Sequence, residues 1–255
     1  MAHIIHQFSI GADNLGVLIH DPATGRTASI DAGEEAPIVA ALSEKGWQLT
    51  DILVTHHHGD HIAALEVLKT RFGARVVGPL ADLHRIPGID VPVSEGDHFT
   101  FGNIGFEVFE TPGHTVGHIA FYSPSEALLF AGDTLFSMGC GRLFEGTPQQ
   151  MWSSLSKLAA LPDATKLYCG HEYTLSNAHF ALRFDANNPT LQKRVAEVEA
   201  LRARGEFTIP STIGLEKATN PFLRAGEPAL TSSVGLAGHS ADEVFAALRE
   251  AKNKG

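Results

Sequence analysis

Residues Thr55-His56-His57-His58-Gly59-Asp60-His61 place four histidines and a carboxylate in seven positions. Histidines two apart, His56 and His58, can reach one cation from an extended or tightly turned backbone. Asp60 and His61 extend the set toward a second. Neutral imidazole and carboxylate together suit zinc, iron or manganese. His114, Asp133 and His171 complete a seven-membered donor set. Asp133 is the natural bridge, one oxygen to each of two metals held ~3.5–4 Å apart with a water between them. Coordination lowers the pKa of such a water from about 15.7 towards 7, which supplies a hydroxide nucleophile at neutral pH. The metals accept the charge that builds on a carbonyl oxygen under attack, and Asp60 is placed to orient the hydroxide and take its proton. The catalytic assignments are therefore Asp60 and Asp133. The metal ligands are His56, His58, Asp60, His61, His114, Asp133 and His171.

These side chains need elements that bring them together. Ile52-Leu53-Val54 precedes the cluster as a short apolar run, the pattern of a buried strand. Apolar residues at 62, 65, 68 and 72 follow with helical spacing, and Gly73 is a stop. His114, Asp133 and His171 each follow a short apolar run and a turn residue. Ligands at the trailing ends of several strands converge on one edge of a sheet, where α/β folds place their sites. Strands are expected over 4–10, 14–20, 28–31, 74–77, 105–110, 118–123, 127–131 and 166–169, and helices over 37–45 and 148–161. After His171 the pattern turns helical or turn-like, over 175–184, 190–204, 208–216 and 241–252. This places a boundary near residue 174. His57 is expected to point away from its neighbours and His118 to pack. Asp31 either steadies a ligand imidazole through its second nitrogen or caps a turn.

The chain has 255 residues, 44% of them apolar, enough for one large domain or one domain and a smaller companion. Its formal charge is −10 with no Lys/Arg block, which disfavours nucleic acid and membrane surfaces as partners. No apolar run approaches the ~18 residues of a membrane span. Residues 1–6 lack the basic and apolar regions of a signal peptide, so a cytoplasmic protein is expected, and a monomer. Cys140 and Cys169 form no CxxC pair, and free thiols are expected.

The motifs His56-x-His58-x-Asp60-His61, Thr111-Pro112-Gly113-His114-Thr115, Gly132-Asp133 and Gly170-His171-Glu172 resemble those of the metallo-β-lactamase superfamily. That resemblance implies an α/β fold, an αββα sandwich over residues 1–174 followed by a smaller α-helical, substrate-binding domain over 175–255. Met138 to Gly146, Cys169 to Thr174, Asn220-Pro221-Phe222-Leu223-Arg224 and Arg249-x-x-Lys252 narrow it to the glyoxalase II, or hydroxyacylglutathione hydrolase, family. The family implies two divalent metals per chain, zinc foremost, with iron or manganese also suited. It implies hydrolysis of S-(2-hydroxyacyl)glutathione thioesters, S-lactoylglutathione to D-lactate and glutathione, in methylglyoxal detoxification. Its glutathione contacts carry over to Arg142, Tyr173, Arg249 and Lys252, while Phe144 stands where relatives often have tyrosine. The alternative is another enzyme on this scaffold: a glutathione persulfide dioxygenase, a lactonase or a β-lactamase.

Overall fold

A computed structural model describes residues 3–255; the first two residues of the leader reading lie outside the described residues. The chain forms two compact units, one comprising the residues up to Glu110 with Thr115–Gly132, the other Thr111–His114 with Asp133–Gly255.

The first unit holds two sheets. Strands β1 (Ile4–Ile10), β2 (Asn14–Asp21) and β3 (Arg26–Ile30) pair antiparallel in chain order. Helix α1 (Glu35–Lys45) then crosses to β4 (Asp51–Leu53), which pairs parallel with β3. The one-turn α2 (Gly59–Ile62) and α3 (Leu65–Phe72) cross to β5 (Arg75–Pro79), and β6 (Val91–Val93) pairs parallel with β5. Strand β4 is buried throughout, as parallel strands covered on both faces are. Helices α1 and α3 both end on left-handed glycines, Gly46 and Gly73, whose N–H groups close onto the last turn's carbonyls. Ile38, Leu42, Leu65 and Leu68 pack on Leu18, Ile52 and Val76 to make this sheet's core.

Strands β7 (His98–Phe101), β8 (Ile104–Glu110), β9 (Ile119–Ser123) and β10 (Leu128–Phe130) run antiparallel in chain order. The alternation of β8 turns Ile104, Phe106 and Val108 inward. Phe106 stacks on Phe99 at 5.3 Å, and Phe121 meets Phe99 edge-on at 5.6 Å. Asp21 ties the two sheets by accepting from the Asn103 N–H at 2.9 Å.

The second unit opens with the hairpin β11 (Leu135–Phe136) and β12 (Gly139–Cys140). Helix α4 (Pro148–Ala159) follows, started by a Thr147/Gln150 capping box and Pro148. Strand β13 (Lys166–Tyr168) leads to α5 (Thr174–Asp185) and α6 (Pro189–Ala203). Strand β14 (Ser211–Thr212) pairs antiparallel with β13 and leads into α7 (Ile213–Thr219), α8 (Pro228–Ser233) and α9 (Ala241–Lys254). Met138 packs among Ala178, Ala181, Leu191, Val195 and Val198 of α5 and α6. Among the described residues no helix is long and apolar enough to cross a membrane. Both cysteines are buried free thiols.

The 136–140 hairpin is held by buried side chains. Glu216 accepts the Met138 N–H at 2.6 Å. The Asn220 amide donates to the carbonyls of Phe136 (3.1 Å) and Gly139 (2.9 Å), and the Asn177 amide to that of Ser137 (3.0 Å). Asn220→Ala strands two buried carbonyls, so a cost of about 2–3 kcal/mol is expected. At this chain length that lowers the melting midpoint by roughly 5–10 °C. A thermal melt checks it, and an unchanged midpoint contradicts the role given to Asn220.

The expected single helix after the histidines is instead two. The Ala64 N–H bonds to the Ala32 carbonyl at 2.8 Å, which takes it out of a helical ladder and separates α2 from α3. Residues 208–216, expected to be helical or turn-like, contain β14, a strand too short to show a period. Strands β6 and β7 also carried no clear signal; β6 is three residues long and centred on Pro92.

Candidate metal centre

In the first unit the donors sit on the segment leaving β4. Asp31, at the end of β3 and with φ of 58°, organises them. Its carboxylate accepts the Thr55 N–H at 2.7 Å and the Thr55 hydroxyl at 2.9 Å. It also lies 2.8 Å from His61 Nδ1. That contact fixes the His61 ring and turns Nε2 toward Asp60 Oδ2, 3.5 Å away. The Thr55 hydroxyl, 3.0 Å from His56 Nδ1, fixes His56 in the same way. His56 Nε2 then faces His58 Nδ1 at 3.2 Å. Asn14 donates to Asp60 Oδ2 at 3.1 Å, and the Asp60 side chain is 50% exposed, open to a solvent-derived proton.

The backbone behind the cluster is close-packed. The Ala32 N–H donates to the His61 carbonyl at 2.7 Å. A Cβ on Gly33 would fall 2.1 Å from the Asp60 carbonyl oxygen, so only glycine fits this approach. His57 turns away, as expected: Nδ1 lies 3.2 Å from Asp82, and Arg85 donates to Nε2 at 3.2 Å. His118 packs its ring on His56 at 4.8 Å.

In the second unit Asp133 takes the organising place. Its Oδ2 lies 3.2 Å from His171 Nε2 and 3.5 Å from His114 Nε2. His114 Nδ1 donates to the Arg142 carbonyl at 2.8 Å, which sets the tautomer with the lone pair on Nε2, as ligand imidazoles carry it. The Tyr173 ring lies flat on His171 at 4.7 Å.

The distal nitrogens of His56, His61 and His114 are engaged by a hydroxyl, a carboxylate and a carbonyl, the outer support that metal-binding imidazoles carry. The donor set therefore fits divalent metal. Sequence reasoning did not single out Thr55 or the Asp82–Arg85 pair behind His57; a threonine before a histidine run and a distant Asp-x-x-Arg carry no signal of their own.

The residues expected to bind substrate lie in the second unit. The Phe144 ring is 60% exposed, with the Arg142 guanidinium 6.0 Å from its centroid. Arg249 is buried, donates to the Cys140 carbonyl at 2.9 Å and lies 5.3 Å from the Phe222 centroid. Lys252 sits 4.8 Å above Phe180, and burial, assisted by the Arg249 charge, pushes its ammonium down to about 8. Burial likewise raises the Cys140 and Cys169 thiols, which keeps both protonated and inert at neutral pH.

The metallo-beta-lactamase superfamily pattern matches residues 16–171, and the hydroxyacylglutathione hydrolase C-terminus pattern matches 172–255. The hydroxyacylglutathione hydrolase of Rhizobium meliloti (strain 1021) is 56% identical over 246 residues, covering 96% of each chain. The chain belongs to the hydroxyacylglutathione hydrolase family of the metallo-beta-lactamase superfamily. Its fold is that superfamily's, followed by the family's helical C-terminal region. Among solved structures, ETHE1 from Myxococcus xanthus is 28% identical with a TM-score of 0.71, covering 98% of this chain and 91% of that one. TTHA1623, solved in a di-iron-bound form, is 27% identical with a TM-score of 0.64, covering 86% and 100%. Superfamily membership and the histidine–aspartate groups together point to a dinuclear metal centre.

Proposed function

We propose that this hydroxyacylglutathione hydrolase family member hydrolyses S-(2-hydroxyacyl)glutathione thioesters, S-lactoylglutathione to D-lactate and glutathione, in the cytoplasm as part of methylglyoxal detoxification. The observation that carries this reading is the 56% identity to a hydroxyacylglutathione hydrolase across nearly the whole chain. Residues 1–174 act as the catalytic part and 175–255 as the substrate-binding part. His56, His58, Asp60, His61, His114, Asp133 and His171 would hold two divalent cations, zinc foremost. Such metals, when bound, polarise the thioester carbonyl and acidify water.

The protein's own groups do the rest. Asp31 and Thr55 hold the His56 and His61 rings in one orientation, so no ring reorganises during the reaction. Asp60, half-exposed and steadied by Asn14, orients the attacking water and takes its proton. The leaving thiolate has a parent pKa near 8.5, so no strong acid is needed to release it. Arg142, Arg249 and Lys252 counter the carboxylates of glutathione in a chain of charge −10. Phe144 and Tyr173 offer ring faces to the substrate's apolar part.

Lys252 gives a pH signature. It is an ammonium below about 8 and neutral above. KM for S-lactoylglutathione is therefore expected to be flat below pH 8 and to rise above it, while Lys252→Ala removes the rise. Steady-state kinetics across pH check this; a wild-type profile identical to that of Lys252→Ala contradicts it.

The function itself is tested by thiol release from S-lactoylglutathione, with oxygen uptake on glutathione persulfide followed in parallel. Thiol release without oxygen uptake is expected. Oxygen uptake without thiol release transfers the assignment to a dioxygenase.

A further inference from the structure

His57 lies between two of the proposed donors, His56 and His58, yet both of its ring nitrogens are engaged elsewhere. Nδ1 donates to Asp82 Oδ2 at 3.2 Å, and the Arg85 guanidinium donates to Nε2 at 3.2 Å. A second guanidinium nitrogen of Arg85 pairs with the other Asp82 oxygen at 2.9 Å. The three side chains close a ring of contacts, imidazole to carboxylate to guanidinium and back. Because Nε2 accepts from an arginine, Nδ1 carries the proton, and the imidazole is fixed in one tautomer.

The carboxylate at the centre is itself fixed. Asp82 ends a one-turn 3-10 helix, Leu80–Asp82, and is fully buried. Its carbonyl accepts the Arg85 and Ile86 N–H groups at 2.8 and 2.9 Å, and Ile86 belongs to the core of the first sheet. The Gly117 backbone presses on the carboxylate from the other side. A Cβ at Gly117 would fall 2.3 Å from Asp82 Cγ, so no larger residue fits there. Two residues on, the Ile119 N–H bonds to the Thr55 carbonyl at 2.9 Å, which ties this wall to the donor segment. A buried carboxylate is unfavourable unless it is paired and hydrogen-bonded, and this one is paired about a histidine outside the donor set.

We propose that Asp82 and Arg85 are positioning residues for the metal centre, which hold the His57 ring and thereby set the register of the 56–58 run. Successive side chains of an extended segment point to opposite sides. Fixing the middle ring therefore fixes the side that His56 and His58 face, and it keeps His57 from competing as a ligand. Asp31 and Thr55 orient single rings, whereas the Asp82–Arg85 clamp acts on the backbone that carries two of them. The role rests on the ligand set proposed above and not on the identity of the substrate.

Competitive chelation of zinc, with melting midpoints read on the same samples of the full chain, tests this. Asp82→Ala and His57→Phe are each expected to weaken zinc about 10-fold, the lower end for outer support because the clamp acts through the backbone. The double variant is expected to bind no more weakly than Asp82→Ala, since the carboxylate acts only through that ring. Gly117→Ala, which displaces the carboxylate without removing it, is expected to weaken zinc as well. Ile38→Val, a change in the core of the same sheet, is expected to lower the midpoint and leave zinc affinity unchanged. Unaltered affinity in Asp82→Ala, losses that add in the double variant, or an equal loss in Ile38→Val overturns the proposal. Wild-type protein that takes up no zinc overturns the metal centre and this role together. The expected order of affinities in a chain that releases no thiol from S-lactoylglutathione would sink the substrate reading and leave the clamp standing.

Discussion

Asp133→Ala is expected to lower thioester turnover by at least about 1,000-fold and to reduce bound metal in the same sample. One oxygen of this carboxylate lies within 3.5 Å of a ring nitrogen on each of two imidazoles, His114 and His171. A buried acceptor set of this kind, 5% exposed at Asp133 itself, has no solvent to replace the missing charge. If the carboxylate is common to two cations, its loss weakens both at once. The acidification of water that depends on them, several pKa units in size, is lost with it. Turnover and metal content close to wild type would count heavily against a shared carboxylate. Asp133→Asn preserves shape and separates charge from packing, and it is expected to behave like the alanine variant.

Asp31→Ala should have the next largest effect, through a residue that binds no metal. Its carboxylate receives the Thr55 N–H, the Thr55 hydroxyl and His61 Nδ1. Removing it leaves the buried Thr55 N–H without an acceptor, at about 1–3 kcal/mol. It also frees the His61 ring to rotate, and loss of such outer support typically lowers metal affinity 10–100-fold. Asp31→Asn separates the two effects. Asparagine tolerates the left-handed backbone at this position, φ 58°. Its amide oxygen can still accept the Thr55 N–H, yet a carboxamide is a poorer partner for His61 than a carboxylate. The melting midpoint is therefore expected to recover in Asp31→Asn while metal affinity does not. Recovery of both, measured by thermal melt and competitive chelation, would show that the Asp31 charge is dispensable.

Much of this was legible in the residues alone because donors announce themselves. An imidazole at every other position before a helix start has few structural uses, and His57 between the two was correctly expected to face elsewhere. The second-nitrogen partner of a ligand imidazole was also within reach, since Asp31 ends a strand beside the cluster. Thr55 and the Asp82–Arg85 pair were not, because their roles depend on contacts between residues that no local pattern links. The helix after the histidines was expected to be continuous because its apolar positions keep a helical period across 62–72. The structure interrupts it where Ala64 turns its N–H to Ala32, a tertiary hydrogen bond that periodicity does not encode. Strand β14 was missed for a different reason: two residues hold no period, and it exists by pairing with β13. Arg249 was expected on the same helix face as Lys252 as a substrate contact. In the structure it is buried and, through its bond to the Cys140 carbonyl, holds the hairpin that precedes Arg142.

The most direct test is a metal titration of the stripped protein, with thiol release from S-lactoylglutathione read at each addition of zinc, iron or manganese. Activity that climbs to a plateau at two equivalents per chain is the result expected if the seven proposed donors hold two metals. Full activity in the metal-free protein, or a plateau at one equivalent, would contradict a dinuclear centre.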